Sequence, residues 1–273
     1  MRPYNPNGRI YTPEQIDTVI DNLITDDDLI GNNKGDSVYN IPLAFDIETS
    51  SFYRDINGDT YTYEQVQKLD NPKIEKVAIM YIWQLGINGA VILGRTWDEF
   101  ITVINRISER LELTKDKRLI IYVHNLSYEF QFIRNRFEWY KIFSIDKRKP
   151  LYAITDTYVE FRCSYLLSGF SLANVSKQLM RYKVAKMTGD LDYSLIRHKT
   201  TPLTTAEIGY CINDVRVVMN YIRELIEDNK GIHRLPLTKT GFVRQYCRNR
   251  TLNHHIDGRR CKNWAYVDLM NEL

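Results

Sequence analysis

The sequence lacks the features that would assign it to a membrane, secreted or zinc-finger class. None of its apolar runs is long enough to span a bilayer, and its first residues lack the apolar core of a signal peptide. Its four cysteines are scattered without a Cys-x-x-Cys pair, which predicts free thiols and no disulfide framework. Cys247 and Cys261 lie near His254 and His255, but the spacing fits none of the common zinc patterns. We therefore expect a soluble, cytoplasmic chain that engages no membrane.

Charge is nearly balanced overall but unevenly distributed. The 273 residues carry 37 Lys and Arg and 34 Asp and Glu, a net charge of +3. Residues 230–262 hold nine of the basic residues and one acid, Asp257, which leaves the rest of the chain with a net charge of −5. A basic tail on a mildly acidic body predicts a polyanion partner for the tail. A solvated extension without a partner is the alternative that this feature leaves open.

Hydrophobic periodicity predicts an α/β chain in which a strand pair comes first, helices and strands then alternate, and a long helix follows. Capping boxes predict helix starts at Thr12 and Thr204, and single capping residues predict starts at Thr96 and Ser171. The other predicted elements are strands at 41–49, 76–94 (two strands), 118–123, 151–155 and 158–163, a helix at 127–137 and a linker at 26–35. This order suits a mixed sheet flanked by helices, as in ribonuclease H-like nucleases.

Two acids share one face of the predicted strand at 41–49. Asp46 and Glu48 are two residues apart, so their side chains leave the same face, while Phe45 and Ile47 point to the other. Two carboxylates near an apolar core repel each other unless a cation neutralises them, and oxygen ligands suit Mg²⁺ or Mn²⁺. An edge strand with its polar face in water is the alternative.

Two further motifs combine polar groups with predicted helices. Tyr210 and Asp214 are four residues apart and lie one above the other on the long helix, either as a structural pair or as a water-orienting hydroxyl and a metal ligand. Asn125, Tyr128 and Glu129 follow an apolar strand, where ligands commonly bind in α/β folds. Asn125 could contact a sugar or phosphate, Tyr128 could stack on a base and Glu129 could reach a metal. Ordinary helix capping by Asn125 is the alternative.

Together, the order and placement of these motifs resemble the Exo I, Exo II and Exo III motifs of family B DNA polymerases. The segments FDIETSSF (45–52), YVHNLSYEF (122–130) and YCINDV (210–215) are most similar to those of the protein-primed polymerases of bacteriophages. The segment GDLDY (189–193) resembles a run that those enzymes carry between Exo II and Exo III. The resemblance covers residues 41–250. It implies a DnaQ-like exonuclease fold, ribonuclease H-like with β-hairpin insertions, and a 3′→5′ exonuclease that proofreads during DNA replication.

The resemblance also implies a role for each matched residue. Four acids are implied to bind two divalent cations, Mg²⁺ or Mn²⁺: Asp46, Glu48, Glu129 and Asp214. Such ions activate a water and stabilise the leaving 3′ oxygen, and Tyr210 is implied to position that water with Glu48. The residues expected to hold or contact the 3′ end of single-stranded DNA are Thr49, Asn125, Tyr128, Phe132, Lys186 and Tyr193. Of these, Phe132 extends the apolar wall one turn beyond Tyr128.

The sequence departs from the family pattern in three places. Glu129 occupies a position that is usually aspartate, which changes the alignment of the second metal while still permitting binding, directly or through water. Thr188 replaces the lysine that usually precedes the Gly-Asp pair, so Lys186 is the candidate for the phosphate contact. The chain also has no Ser-Leu-Tyr-Pro-like segment and no Asp-x-Asp in a tyrosine-flanked hairpin, the acidic motifs of a polymerase palm.

We therefore predict three parts: a helical lead-in and linker (1–40), an exonuclease domain (41–229) and a basic segment (230–273) that leads towards a missing palm. The expected protein is a monomeric exonuclease portion of a polymerase, either excised from it, encoded by a split gene or a free-standing relative, in the bacterial host cytoplasm if it is phage-encoded. Its expected partners are single-stranded DNA 3′ ends, the polymerase portion and a terminal priming protein.

The sequence leaves two other functions open. If Glu129 weakens the nuclease centre, the chain is a module that binds nucleic acid or a priming protein without cleaving. A related nuclease that prefers RNA is the other alternative, because discrimination rests on the 2′-hydroxyl and the sequence does not reveal that preference.

Overall fold

The computed structural model describes residues 3–31, 35–69, 73–185, 187, 195–251, 253–256 and 259–262. Within these ranges the strands are β1 (Ile10–Tyr11), β2 (Leu29–Gly31), β3 (Ser37–Tyr39), β4 (Leu43–Arg54), β5 (Thr60–Tyr61), β6 (Glu75–Ile87), β7 (Ala90–Gly94), β8 (Lys117–Val123), β9 (Trp139–Asp146), β10 (Lys149–Thr155), β11 (Val159–Cys163), β12 (Asn253–Ile256) and β13 (Arg259–Lys262). The helices are α1 (Ile16–Leu23), α2 (Tyr63–Val66), α3 (Trp97–Arg110), α4 (Leu126–Ile133), α5 (Ser164–Ser168), α6 (Leu172–Gln178), α7 (Thr205–Asn229) and α8 (Lys239–Thr251).

Eleven strands of the described residues form one mixed sheet, whose main path runs β1-β7-β6-β4-β8-β11-β10-β9. β4, β8 and β11 are parallel to one another, whereas β6 is antiparallel to both of its neighbours, β4 and β7. α3 connects β7 to β8, and a β9–β10 hairpin is inserted before β11. This arrangement confirms the predicted ribonuclease H-like α/β fold with hairpin insertions.

The sheet separates two apolar layers, and β4 contributes to both. Phe45 and Ile47 join the layer that includes α1, α3 and α4, where the Phe45 ring stacks on Phe100 with centroids 4.3 Å apart. Ala44 joins the other layer, beneath α7. Because successive side chains of a strand alternate between faces, Asp46 and Glu48 share one face, as the sequence predicts, and in the fold that face lies on the α7 side.

The predicted turn and the predicted helix starts at Thr96 and Thr204 are confirmed by their local chemistry, whereas the Thr12 and Ser171 side chains make no capping hydrogen bond at the helical turns that follow them. The β6–β7 hairpin turns through Asn88 and Gly89, both in the left-handed region with φ values of 46° and 97°. The Thr96 and Thr204 hydroxyls accept the backbone N–H of the third residue of α3 and of α7. α7 is 25 residues long. Of the helices within the described ranges, none has both the length and the apolar character that a bilayer crossing requires.

The structure corrects two local predictions and adds one edge strand. The segment predicted as a linker contains β2, which pairs with β3 and attaches through it to β8. The helix predicted to reach residue 137 ends at Ile133. β9 was not predicted, because it lies at a sheet edge where nearly all of its residues are exposed and no buried face produces an alternating pattern.

Candidate active site

Three carboxylates from β4 and α7 converge on one face of the sheet. Asp46 and Glu48 leave β4 towards α7, and Asp214 faces them from the helix. One oxygen atom of each residue lies within 4.8 Å of those of the other two. All three are candidate ligands for a hard divalent cation, because carboxylate oxygens this close repel one another without a positive charge between them.

Glu129 approaches the same cluster from α4. Its side chain is only 4% exposed, and its Oε2 atom has no hydrogen-bond partner among the described residues. Burial, and then the negative charge of Asp46, raise the pKa of Glu129 well above its usual range. A buried carboxyl whose charged neighbours are acids favours a bound cation, because the cation would stabilise its ionised form.

Thr49, Tyr128 and Phe132 form a polar and aromatic wall beside the acids. The hydroxyl oxygens of Thr49 and Tyr128 lie 2.5 Å apart, and the ring centroids of Tyr128 and Phe132 are 5.3 Å apart. Burial raises the pKa of Tyr128, so its hydroxyl stays protonated. The Tyr128 side chain is nevertheless 42% exposed, which leaves ring surface available for a base to stack on.

Asn125 occupies the N-cap position of α4 in the left-handed conformation, with φ of 74°. Its side chain makes no capping hydrogen bond, so the alternative that it serves as an ordinary side-chain cap is wrong. The residue is exposed beside the Tyr128 wall. Its amide is therefore open to a ligand, as the family resemblance implies.

The remaining predicted residues fall into two groups. Tyr210 lies one turn before Asp214 on α7 and is partly exposed, as the helical spacing predicted. Lys186 and Tyr193 lie outside the described residues, as does the whole segment at 189–193. Their contacts with a substrate stay predictions.

Asn213, for which no motif in the sequence predicts a role, anchors residues 185 and 187. Its Oδ1 accepts a hydrogen bond from the Met187 backbone N–H, and its Nδ2 donates one to the Ala185 carbonyl, both at 3.0 Å. Asn213 directly precedes Asp214 in the chain. Residues 185 and 187 are therefore held against α7.

Tyr81 and Cys211 are two further residues that sequence reasoning did not associate with the cluster. The pairing of β4 with β6 slips between Glu48 and Thr49, which leaves Tyr81 as the extra residue of a β-bulge. Tyr81 and the adjacent Ile82 both pack with Cys211. Burial and the charge of Glu48 raise the pKa of Tyr81 and of Cys211, so both groups stay neutral. No signal in the sequence marks the bulge.

Comparison with solved structures finds the same fold in a DNA polymerase. Phi29 DNA polymerase complexed with primer-template DNA and incoming nucleotide substrates matches with a TM-score of 0.54 and 13% identity, over 76% of this chain and 34% of the polymerase chain. Phi29 DNA polymerase complexed with single-stranded DNA gives the same four values. Its post-translocation binary complex with primer-template DNA matches with a TM-score of 0.52 and 15% identity over the same shares.

This chain spans about a third of the length of those polymerase chains. At such low identity, the likeness shows a shared fold. Comparison with models of known protein families found no match, and comparison with curated protein sequences found none either.

Proposed function

We propose that the chain is a metal-dependent 3′→5′ exonuclease that hydrolyses phosphodiester bonds at the 3′ ends of single-stranded DNA. The observation that carries this proposal is the convergence of Asp46, Glu48 and Asp214 beside the buried carboxyl of Glu129. The fold shared with Phi29 DNA polymerase and the resemblance to the Exo motifs support DNA as the substrate and 3′→5′ as the polarity. The corresponding biological role is proofreading during DNA replication by a phage-type family B polymerase.

The four acids suit two divalent cations, Mg²⁺ or Mn²⁺. Every donor is a carboxylate oxygen, and the buried Oε2 of Glu129 has a vacant acceptor site. Divalent cations bound there supply charge stabilisation for the reacting phosphate and a lowered pKa for bound water. The chain's contribution is to hold four oxygen donors in place before the substrate arrives.

The side chains around the acids hold and orient the reacting groups. Tyr128 offers an exposed ring to a base, and its bond to Thr49 fixes the orientation of that ring. Tyr210, one turn from Asp214, and Glu48 provide a hydroxyl and a carboxylate that orient the attacking water. Positioning of this kind accounts for a large part of catalysis, because it removes the entropy cost of bringing the reactants together.

The direct test is digestion of a 5′-labelled single-stranded DNA oligonucleotide in Mg²⁺ or Mn²⁺. We expect a ladder of products shortened from the 3′ end, which disappears in EDTA and in the Asp46→Ala and Asp214→Ala variants. Glu138→Ala is the matched control, because Glu138 is an exposed acid outside the cluster. Circular dichroism checks that each variant is folded. Equal activity in both cluster variants and in the wild type would rule out the proposal, and an RNA oligonucleotide of matched sequence measures the sugar preference.

The glutamate at position 129 favours one alternative, a nucleic-acid-binding module with a weakened centre. Its extra methylene relative to aspartate moves the carboxylate oxygens away from the positions that an aspartate would give them. This alternative predicts salt-sensitive DNA binding without metal-dependent cleavage. It also predicts that Glu129→Asp creates activity that the wild type lacks. Efficient cleavage by the wild type excludes it.

A further inference from the structure

A groove of about 470 Å³ opens at the rim of the sheet, where β7 has ended. Met80 of β6, Trp97 at the start of α3 and Lys199 of the segment before α7 line it. In the sheet, Met80 pairs with Thr49, whose hydroxyl meets that of Tyr128. The groove therefore begins one strand away from the polar and aromatic wall of the candidate active site.

A continuous series of contacts leads from that wall into the groove. The Phe132 ring packs against Tyr128, and the Phe132 carbonyl accepts a hydrogen bond from Arg136 Nε at 3.1 Å. The Arg136 guanidinium in turn lies over the Trp97 ring, 4.6 Å from its centroid. Arg136 is exposed, and a guanidinium that stacks on one aromatic ring can take a second planar group, such as a nucleobase, on its other face.

The groove is basic, in contrast to the acid cluster. Arg136, His198 and Lys199 are exposed along it, and Asp98 is the acidic side chain among those lining residues that the structure describes. Arg95 has a structural role, unlike the exposed cations, because its guanidinium donates hydrogen bonds to backbone carbonyls of β6 and of the segment before α7. Arg95 thus fixes the two sides of the groove relative to each other, while the exposed cations are available for phosphates.

We propose that this groove binds the nucleotides upstream of the 3′ end of a single-stranded nucleic acid, with Arg136 as a base-stacking contact and Lys199 as a phosphate contact. The inference rests on the proposed function, because it takes the 3′ end of the strand to lie at the acid cluster. A strand that passes Tyr128 and Phe132 in the 5′ direction meets an aromatic and cationic surface next, which is the combination that single-strand-binding channels use. The groove would therefore set a substrate preference for strands longer than the few nucleotides at the acids.

The test compares fluorescein-labelled oligonucleotides of three and twelve thymidines, dT3 and dT12. Fluorescence anisotropy in EDTA measures the Kd for dT12, and steady-state digestion in Mg²⁺ measures kcat/KM for both lengths. The variants are Arg136→Ala and Lys199→Ala. The control is Lys115→Ala, which removes an exposed lysine that is not among the residues lining the groove.

We expect each groove variant to raise the Kd for dT12 by roughly tenfold, the effect of losing one stacking or charged contact. We also expect the preference for dT12 over dT3 to fall by a similar factor, and the slope of log Kd against log salt to drop by about one in Lys199→Ala. Lys115→Ala should match the wild type. Wild-type affinity for dT12 in both groove variants, or an equal loss in Lys115→Ala, would overturn the proposal. Absence of any digestion refutes the proposed function alone, because the anisotropy measurement needs no catalysis.

Discussion

Glu160 on β11 and Glu129 on α4 are both almost fully buried carboxylates, 2% and 4% exposed, but their surroundings are opposite. Glu160 accepts a hydrogen bond from Arg162 Nε at 2.6 Å and another from Arg118 Nη1 at 3.0 Å. The charge of Glu160 is therefore compensated by two arginines of the same chain. Such pairs are structural, since breaking one leaves a buried charge unpaired.

The charged groups around Glu129 are acids, whereas those around Glu160 are arginines. The charges that act on Glu129 are those of Asp46 and Glu48, and both raise its pKa. The comparison shows that this chain supplies counterions where a buried acid serves the fold. At the β4–α7 face it instead gathers acids together, and an external cation is the natural complement.

The largest expected difference between the two clusters is in activity. Asp214→Ala should lower kcat by about a thousandfold, because several kcal/mol of transition-state stabilisation depend on the cations. Glu160→Gln should retain digestion, because Glu160 contacts arginines on strands and not the acid cluster. Single-turnover digestion of 5′-labelled DNA measures both variants at a temperature where each is folded. Equal losses of activity in the two variants would contradict the different roles assigned to Asp214 and Glu160.

The second difference is in stability, where we expect the larger loss at Glu160 and not at the acid cluster. Glu160→Ala should lower the free energy of unfolding by about 3–5 kcal/mol, because it leaves the partly buried Arg162 without its ion-pair partner. Asp46→Ala in EDTA should leave the free energy of unfolding unchanged or raise it, because it removes one of several mutually repelling carboxylates. Urea unfolding followed by circular dichroism measures both. A cost of several kcal/mol for Asp46→Ala would mean that the cluster is structural.

The third difference is the response to divalent cations. At a hundred times its Kd, Mn²⁺ should raise the free energy of unfolding of the wild type by about 2.7 kcal/mol, since it binds the folded state. Asp214→Ala should lose most of this gain, whereas Glu160→Gln should keep it. Thermal unfolding at increasing Mn²⁺ concentrations tests the difference. The same gain in Asp214→Ala would place the ion elsewhere.

The smallest expected effect is on the pH dependence of stability. The pKa of Glu129 in the folded state is raised, so the folded state holds this proton more tightly than the unfolded chain does. Its contribution is complete below the ordinary value of 4.5 and is lost as pH rises through the folded-state pKa. In EDTA, the stability of the wild type should therefore fall with pH more steeply than that of Glu129→Gln. Urea unfolding at several pH values measures the difference, and parallel curves would contradict the assigned shift.

Sequence patterns predicted most of the central sheet because each depends on a local rule. The alternation along β4 places Phe45 and Ile47 opposite Asp46 and Glu48, and the capping hydroxyl of Thr204 sets the start of α7. These features follow from strand geometry and from the unsatisfied N–H groups of a helix end. β9 escaped prediction because an exposed edge strand has no buried face to impose a pattern on its sequence.

The candidate site likewise has one part that local sequence rules predict and another that depends on tertiary packing. Helical spacing is sufficient to place Tyr210 one turn from Asp214. The bulge at Tyr81, the hold of Asn213 on residues 185 and 187, and the stack of Arg136 on Trp97 are not visible in the sequence. Each depends on the register or packing of elements that are distant in the chain.

By itself, the sequence determined which residues share a strand face or a helix turn, because the periods of 2.0 and 3.6 residues are fixed by backbone sterics. Those periods paired Asp46 with Glu48 and Tyr210 with Asp214, and the resemblance to the Exo motifs grouped these residues with Glu129. Only the tertiary structure decided that β4 lies beneath α7, that Glu129 enters the cluster from α4 without a counterion of its own, and that a basic groove opens next to the Tyr128 wall. Those distances depend on how the sheet orders its strands, and that order minimises the free energy of the whole chain and not of any one segment.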